Sequence, residues 1–189
     1  MSGPAELWQA YDENCKPVAG VGLTRAEAYG GKLHAASQVW LWRHKDNTIE
    51  VLLQLRASDK RTWPSHWDIS AAGHIDLNET PRQAAVRETF EEIGLSVKEN
   101  DLSPMFVFHA DYTDEGSGAI ENEWQFTYEL NLVLNKLFKF ADGEVAEVKW
   151  ISLDDLEKAT QGKLTHVNKL VPHGDSYYSQ LISYLKQKL

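Results

Sequence analysis

GHIDLNETPRQAAVRETFEEIGL, residues 73–95, is the stretch on which the reading of this chain turns. Its second half has helical character with both ends punctuated. Thr80 supplies a hydroxyl N-cap, and Pro81 sits at the first helical position, where its missing N–H costs nothing. Gln83 stands where a capping box places it. Gly94 suits the left-handed residue that closes a helix. A helix over about 80–95 is therefore expected.

With about 100° per residue and Glu88 set at zero, Glu91 falls near −60° and Glu92 near +40°. Val86, Phe90 and Ile93 gather on the opposite side, so the helix is expected to bury an apolar face and present a cluster of carboxylates. Like charges three and four residues apart repel, and no Lys or Arg interleaves them to relieve that repulsion. A divalent cation would. Oxygen ligands in this number suit Mg²⁺ or Mn²⁺, which take one or two carboxylates together with substrate phosphates.

Outward from the helix, the flanking sequence reads mostly as strands. Residues 7–11 and 17–23 flank Asp12-Glu13-Asn14 and form an expected N-terminal hairpin. Residues 35–43 and 49–56, rich in Val, Leu, Ile and Trp, read as central strands. Further strands are expected at 105–112, 123–134 and 144–151, with loops at 113–122 and 141–143. Ser152 with Asp155 opens a short helix, and a terminal helix from about Ser176 sets Tyr177, Leu181, Leu185 and Leu189 on one stripe. No repeat or linker divides the chain. One domain over 1–189 follows, with a hairpin extension (1–32), a core (33–151) and C-terminal helices (152–189). It is an α/β protein with a mixed sheet between helical layers.

Composition narrows the function. The 189 residues are 42% hydrophobic and 25% charged with seven Trp, which excludes disordered and fibrous classes. The net charge of −9 disfavours nucleic acid as a partner, and an anionic substrate would need a cation or a local basic patch. The lone Cys15 makes no internal disulfide, and no secretion signal or apolar run of membrane length is present. A soluble, cytoplasmic protein that does not engage membranes is expected.

Written as spacing, Gly73, five residues, Glu79, seven residues, then Arg87-Glu88-Thr89-Phe90-Glu91-Glu92-Ile93-Gly94-Leu95 resembles the Nudix box, Gx5Ex7REUxEExGU, where U is a bulky aliphatic residue. Thr89 is the one departure; it is isosteric with Val but carries a hydroxyl. The resemblance implies a Nudix-type α/β/α sandwich and hydrolysis of a diphosphate linkage with water as nucleophile. It implies that Glu88, Glu91 and Glu92 bind Mg²⁺ or Mn²⁺ with the Gly73 carbonyl. Arg87 and Glu79 would brace the carboxylates, and Gly94 would close the box. Family members are often dimers, so the resemblance makes a homodimer the available assembly.

The resemblance extends over roughly residues 33–151. The runs 52–56, 60–64 and 67–74 look like the isopentenyl-diphosphate isomerase branch and its hydrolase relatives. In that branch, residues matching Arg56 and Lys60 grip the diphosphate, and those matching His34, His74, Glu121 and Glu123 bind metal. The isomerase cysteine falls at Ala72, and a further metal histidine falls near Glu27. A methyl group performs no acid–base chemistry, so the resemblance favours hydrolysis over isomerisation. The catalytic set would be Arg87, Glu88, Glu91, Glu92 and Glu123, with Glu92 or Glu123 as base toward a small-molecule diphosphate. The rivals are an isomerase and a silent ligand-binding module. Trp63, Trp67 and Trp124 read best as core residues.

Overall fold

The computed structural model describes residues 6–133, 137–140 and 143–189. Its centre is β3 (His34–Lys45), which runs parallel to β8 (Ile120–Asn131) on one edge. On the other edge it runs antiparallel to β4 (Thr48–Arg56) and β6 (Ala71–His74). β4 continues the sheet to β5 (Trp67–Asp68) and β9 (Val145–Ser152), and β7 (Ser103–Thr113) extends it beyond β8. The hairpin of β1 (Trp8–Tyr11) and β2 (Pro17–Leu23) stands apart from that sheet and is followed by the short α1 (Arg25–Ala28). Adding the helices α2 (Pro81–Ile93), α3 (Leu153–Thr160) and α4 (Tyr177–Lys186), this is a mixed sheet flanked by helices.

Alternation along the strands builds two cores, because successive side chains point to opposite faces. Val39, Leu41 and Leu52 pack with Ala85 and Ile93 of α2. Trp40, Trp42, Val51 and Leu53 pack with Leu156 of α3 and with Tyr177, Leu181 and Leu185 of α4. Each fully buried Leu contributes about 1.5–3 kcal/mol, so the terminal helix is part of the core rather than a decoration. Leu189 leaves the expected stripe: it lies beyond the C-cap at Gln187 and is 70% exposed.

The caps of α2 are those expected. Thr80 Oγ1 accepts from Gln83 N, the Gln83 side chain accepts from Thr80 N, and Gly94 has φ 68°. Its faces differ from expectation. The inner face is Ala84, Ala85, Thr89, Glu92 and Ile93, while Phe90 is 56% exposed. Glu92 turns inward because two donors await it there. The Thr89 hydroxyl is satisfied within the helix by the Ala85 carbonyl at 2.7 Å, which removes the cost of burying it.

Three stretches were not foreseen. α1 and the short β5 and β6 carry too few residues for a periodic signal. β8 begins at Ile120, so Glu121 is a strand residue, and the loop before it closes on the Asp114 carboxylate, which accepts from Gly116 N and Ser117 Oγ. The expected strand end at Leu134, and residues 141–142 of the expected loop, lie outside the described residues.

Candidate active site

β6 carries Gly73 into the sheet opposite Ser37, and α2 lays Glu88 directly over its bare α-carbon. A Cβ at residue 73 would stand 2.1 Å from Glu88 Cδ, so glycine is required for the carboxylate to sit there. Arg87 organises the cluster. Its Nε and Nη2 donate to the two oxygens of Glu79 at 3.0 and 2.8 Å, Nη2 also to the His74 carbonyl, and Nη1 to both Glu88 and Glu91. The repulsion along the acidic face is thus relieved by Arg87 itself. That corrects the expectation that no cation interleaves it: the guanidinium folds along the helix to reach residues one and four positions on. Glu79 also accepts from Asp76 N, closing the loop before α2.

Burial pushes the Glu88 carboxyl up to about 7 against the opposing pull of Arg87. Glu91 is about half exposed. Glu92 is buried, and its Oε2 accepts from Ala72 N at 2.8 Å and Gln54 Nε2 at 3.0 Å. Burial and the neighbouring Glu88 raise its pKa well above the usual carboxylate value.

A second cluster forms where β3, β6 and β8 meet. The parallel register sets His34 beside Glu123, and β6 brings up His74; one ligand atom from each of the three lies within 4.8 Å of the others. His34 Nε2 and His74 Nε2 stand 3.6 and 3.8 Å from Glu123 Oε2. His34 Nδ1 lies 2.9 Å from the Lys32 carbonyl, which can only accept, so that nitrogen carries the proton. Its Nε2 is therefore a buried lone pair with no hydrogen-bond partner among the described residues. Burial lowers the pKa of both imidazoles, keeping the rings neutral, as a metal ligand must be. Glu121, two residues along the same strand face, is raised to about 7 by burial and by Glu123.

His74, Arg87, Glu88, Glu91, Glu121 and Glu123 open on a cleft of about 560 Å³, with His34 and Glu92 buried behind its wall. Arg56, Lys60, Arg61 and Arg25 line it, the local positive charge that a net −9 demanded. The guanidinium of Arg56 is held by Asp68 Oδ2 at 3.1 Å and by the Thr62 carbonyl, and Lys60 pairs with Glu144 at 2.5 Å. Burial alone would push the Asp68 carboxyl up. The His173 ring at 2.7 Å, Arg56 and the Ile69 N–H outweigh it and hold Asp68 at about 2. Glu27, near which the isomerase histidine was expected, is not at the cleft: it caps α1 and pairs with Lys32.

No motif marks several of the cleft's residues. Trp8 stacks on His74 with ring centroids 3.5 Å apart, Arg25 lies 5.5 Å from the Trp8 ring, and Arg61 lies 5.2 Å from that of Tyr29. Trp63 lines the cleft rather than the core, Trp67 is buried in the core as expected, and half-buried Trp124 donates to the Asp12 carbonyl. The only available signal for Trp8 and Tyr29 is their aromatic character within a short hairpin and helix.

A model of the NUDIX domain matches residues 32–170. The chain belongs to the Nudix hydrolase family. The match runs past residue 151, the expected end of the core, through α3. Nudix hydrolase 3 of Arabidopsis thaliana is 34% identical over 141 residues, which is 72% of this chain and 18% of that much longer protein. An uncharacterised Nudix hydrolase of Listeria monocytogenes is 30% identical over 152 residues, covering 80% of this chain and 83% of the relative. Isopentenyl-diphosphate Delta-isomerases of Salmonella are more distant, 29% identical over 112 residues and 59% of either chain. Among solved structures, Deinococcus radiodurans DR0079 superposes with a TM-score of 0.66 at 16% identity, over 94% of this chain and 98% of that one. The Nudix domain of Shewanella oneidensis NrtR, complexed with ADP ribose, gives 0.57 at 17% identity over 88% and 99%. At these identities the superpositions establish the fold. Among the described residues, no helix is long and apolar enough to cross a membrane.

Proposed function

We propose that this chain hydrolyses the phosphoanhydride bond of a small organic diphosphate, dependent on Mg²⁺ or Mn²⁺. The observation that carries the reading is convergence. Glu88 and Glu91 from the box and Glu123 with His74 from the sheet open on one cleft whose other lining residues include Arg56 and Lys60. The donor set fits divalent metal on two counts: Glu88 seated in the cradle at Gly73, and the buried, partnerless Nε2 of His34 beside Glu123.

Glu88, Glu91 and Glu92, with the Gly73 carbonyl, would hold one ion, and His34, His74, Glu121 and Glu123 another. Bound metal would neutralise phosphate oxygens and lower the pKa of a water. Arg87 and Glu79 fix the carboxylates, and Lys60 and Arg56 orient the distal phosphate for in-line attack. Glu123 is the favoured base, because it lines the cleft with only its Oε1 engaged, by Gln125, whereas Glu92 is buried behind the wall with Oε2 accepting two hydrogen bonds.

The isomerase-like likeness is read here as a hydrolase relative of that branch. Ala72, whose N–H is engaged by Glu92, offers a methyl where isomerisation needs a proton carrier. A panel of nucleoside, thiamin and isoprenoid diphosphates, assayed with Mg²⁺ and Mn²⁺ for released phosphate with and without added pyrophosphatase, tests the reaction and locates the bond cut. Metal-dependent release that collapses in Glu91→Gln and Glu92→Gln with unchanged circular dichroism is expected. Dimethylallyl diphosphate appearing from isopentenyl diphosphate without phosphate loss would instead establish the isomerase.

A further inference from the structure

A second cavity, of about 810 Å³, adjoins the cleft and shares Arg61, Trp63 and Tyr112 with it as common wall. Nothing in the hydrolysis described above uses it. Its size is that of a small-molecule site. Its carbocyclic and indole rings are Trp63, Tyr112 and Phe108, with the imidazoles of His66 and His109 beside them; Trp63 and Tyr112 have centroids 6.4 Å apart, and the edge of Phe108 lies against Gly174 on the far rim. Trp63 and Ser65 hold φ of 49° and 57°, a left-handed backbone that non-glycine residues adopt at a cost and that gathers at ligand-binding loops.

The charge of this cavity is opposite to that of the phosphate-facing wall. Asp111, Glu115 and Asp175 line it, and none of the ion pairs among the described residues uses them. Arg61 alone among its lining residues carries a fixed positive charge, and it stands at the seam with the cleft. A further phosphate entering here would be repelled, and a plain hydrocarbon would leave the acidic rim without a partner. Ring faces combined with carboxylates are what an organic cation selects.

We propose that this cavity receives the organic half of the diphosphate substrate, and that this half is cationic: a quaternary ammonium or a positively charged heteroaromatic ring. The site as a whole is then dipolar, with metal and cations for the diphosphate and ring faces with carboxylates for the cation, and Arg61 contacts the phosphate nearest the organic group. The inference rests on the hydrolase reading for the diphosphate half only.

Thiamin diphosphate, which carries a cationic ring, and isopentenyl diphosphate, which carries a neutral hydrocarbon of smaller size, separate the charge requirement when turned over with Mg²⁺. A kcat/KM ratio favouring thiamin diphosphate by about tenfold or more is expected, the scale of one stacked ring. Trp63→Ala, and Asp111→Asn combined with Asp175→Asn, should each cut that ratio at least about fivefold, while Trp63→Phe, which keeps a flat ring, should restore most of it. Calorimetric titration with free thiamin in metal-free buffer gives a reading independent of turnover: saturable binding in the wild type, weakened in the same variants. Thiamin binding without any diphosphate turnover would refute the hydrolase reading and uphold the cavity. A preference for isopentenyl diphosphate, or a ratio that none of the variants moves, would overturn the cavity assignment while leaving the hydrolase reading intact.

Discussion

One wall of the cleft comes from a single stretch, residues 73–95, and the other from scattered ones: Trp8, residues 25–29, His34, residues 56–63, Glu121 with Glu123, and His173. The first is positioned by helix periodicity and two caps, interactions that close within a few residues. The second depends on sheet register, such as the parallel pairing that sets His34 against Glu123 across nearly half the chain. Local geometry makes the acidic wall robust but intolerant of added atoms. Register makes the opposite wall a property of the whole fold, so its defects should appear as stability and affinity effects together.

The sharpest break of the local wall is Gly73→Ala. The new methyl would occupy the place of Glu88 Cδ, and the far end of that side chain can swing away. The fold should therefore survive with little change in Tm while turnover falls on the order of a hundredfold, the scale of a displaced reacting group. Thermal melts and phosphate-release assays on the same preparation check this; a variant that unfolds, or one that works normally, breaks the distinction between the walls.

The next largest effect tests the scattered wall through Asp68. Its folded-state pKa, about 2, lies below the ordinary value of 3.8. Its contribution is thus fully present above about pH 4 and is lost as pH falls through about 2. Asp68→Asn should cost on the order of 2 kcal/mol at neutral pH, and the urea midpoints of the two proteins should draw together toward pH 2. A constant gap down to pH 2 would show that the ion pair is not the source.

Lys60→Ala should raise KM about tenfold while lowering kcat less, since a lysine gripping a distal phosphate binds ground and transition states alike. Steady-state kinetics decides, and an unchanged KM removes Lys60 from the site. The smallest effect is expected of Trp8→Phe, which keeps a ring on His74 but gives up the indole bond to Glu6. A two- to threefold weaker Mn²⁺ affinity is expected by titration, at the lower edge of the roughly 0.5–1.5 kcal/mol of an aromatic pair. No change in affinity would reduce Trp8 to packing.

The same division governs what could be read in the sequence. Thr80, Gln83 and Gly94 announce α2 because capping chemistry is local, and the spacing of Gly73, Glu79, Arg87 and the glutamates marks the family for the same reason. The inward turn of Glu92 was hidden, since its partners Ala72 and Gln54 come from strands whose pairing no helical wheel contains. His34, His74 and Glu123 were nameable only through resemblance; by themselves they are two ordinary histidines and a strand acid. Trp8 and His173 were beyond reach, because each meets the site through a contact spanning about 65 residues or more.

Tyr177 carries one more consequence. Its phenol donates to Gln38, which lines the cleft, and accepts from Trp40, while residues 169–171 pair with Trp67 and Val171 and His173 line the cleft itself, so α4 and the segment before it brace the cleft from behind. During translation these residues emerge after the acidic helix does. While residues 169–185 still occupy the ribosomal exit tunnel, the acidic helix can already be wound, yet Gln38 lacks the Tyr177 hydroxyl and Asp68 lacks the His173 ring, so a nascent chain stalled there would carry the motif beside an incompletely braced pocket.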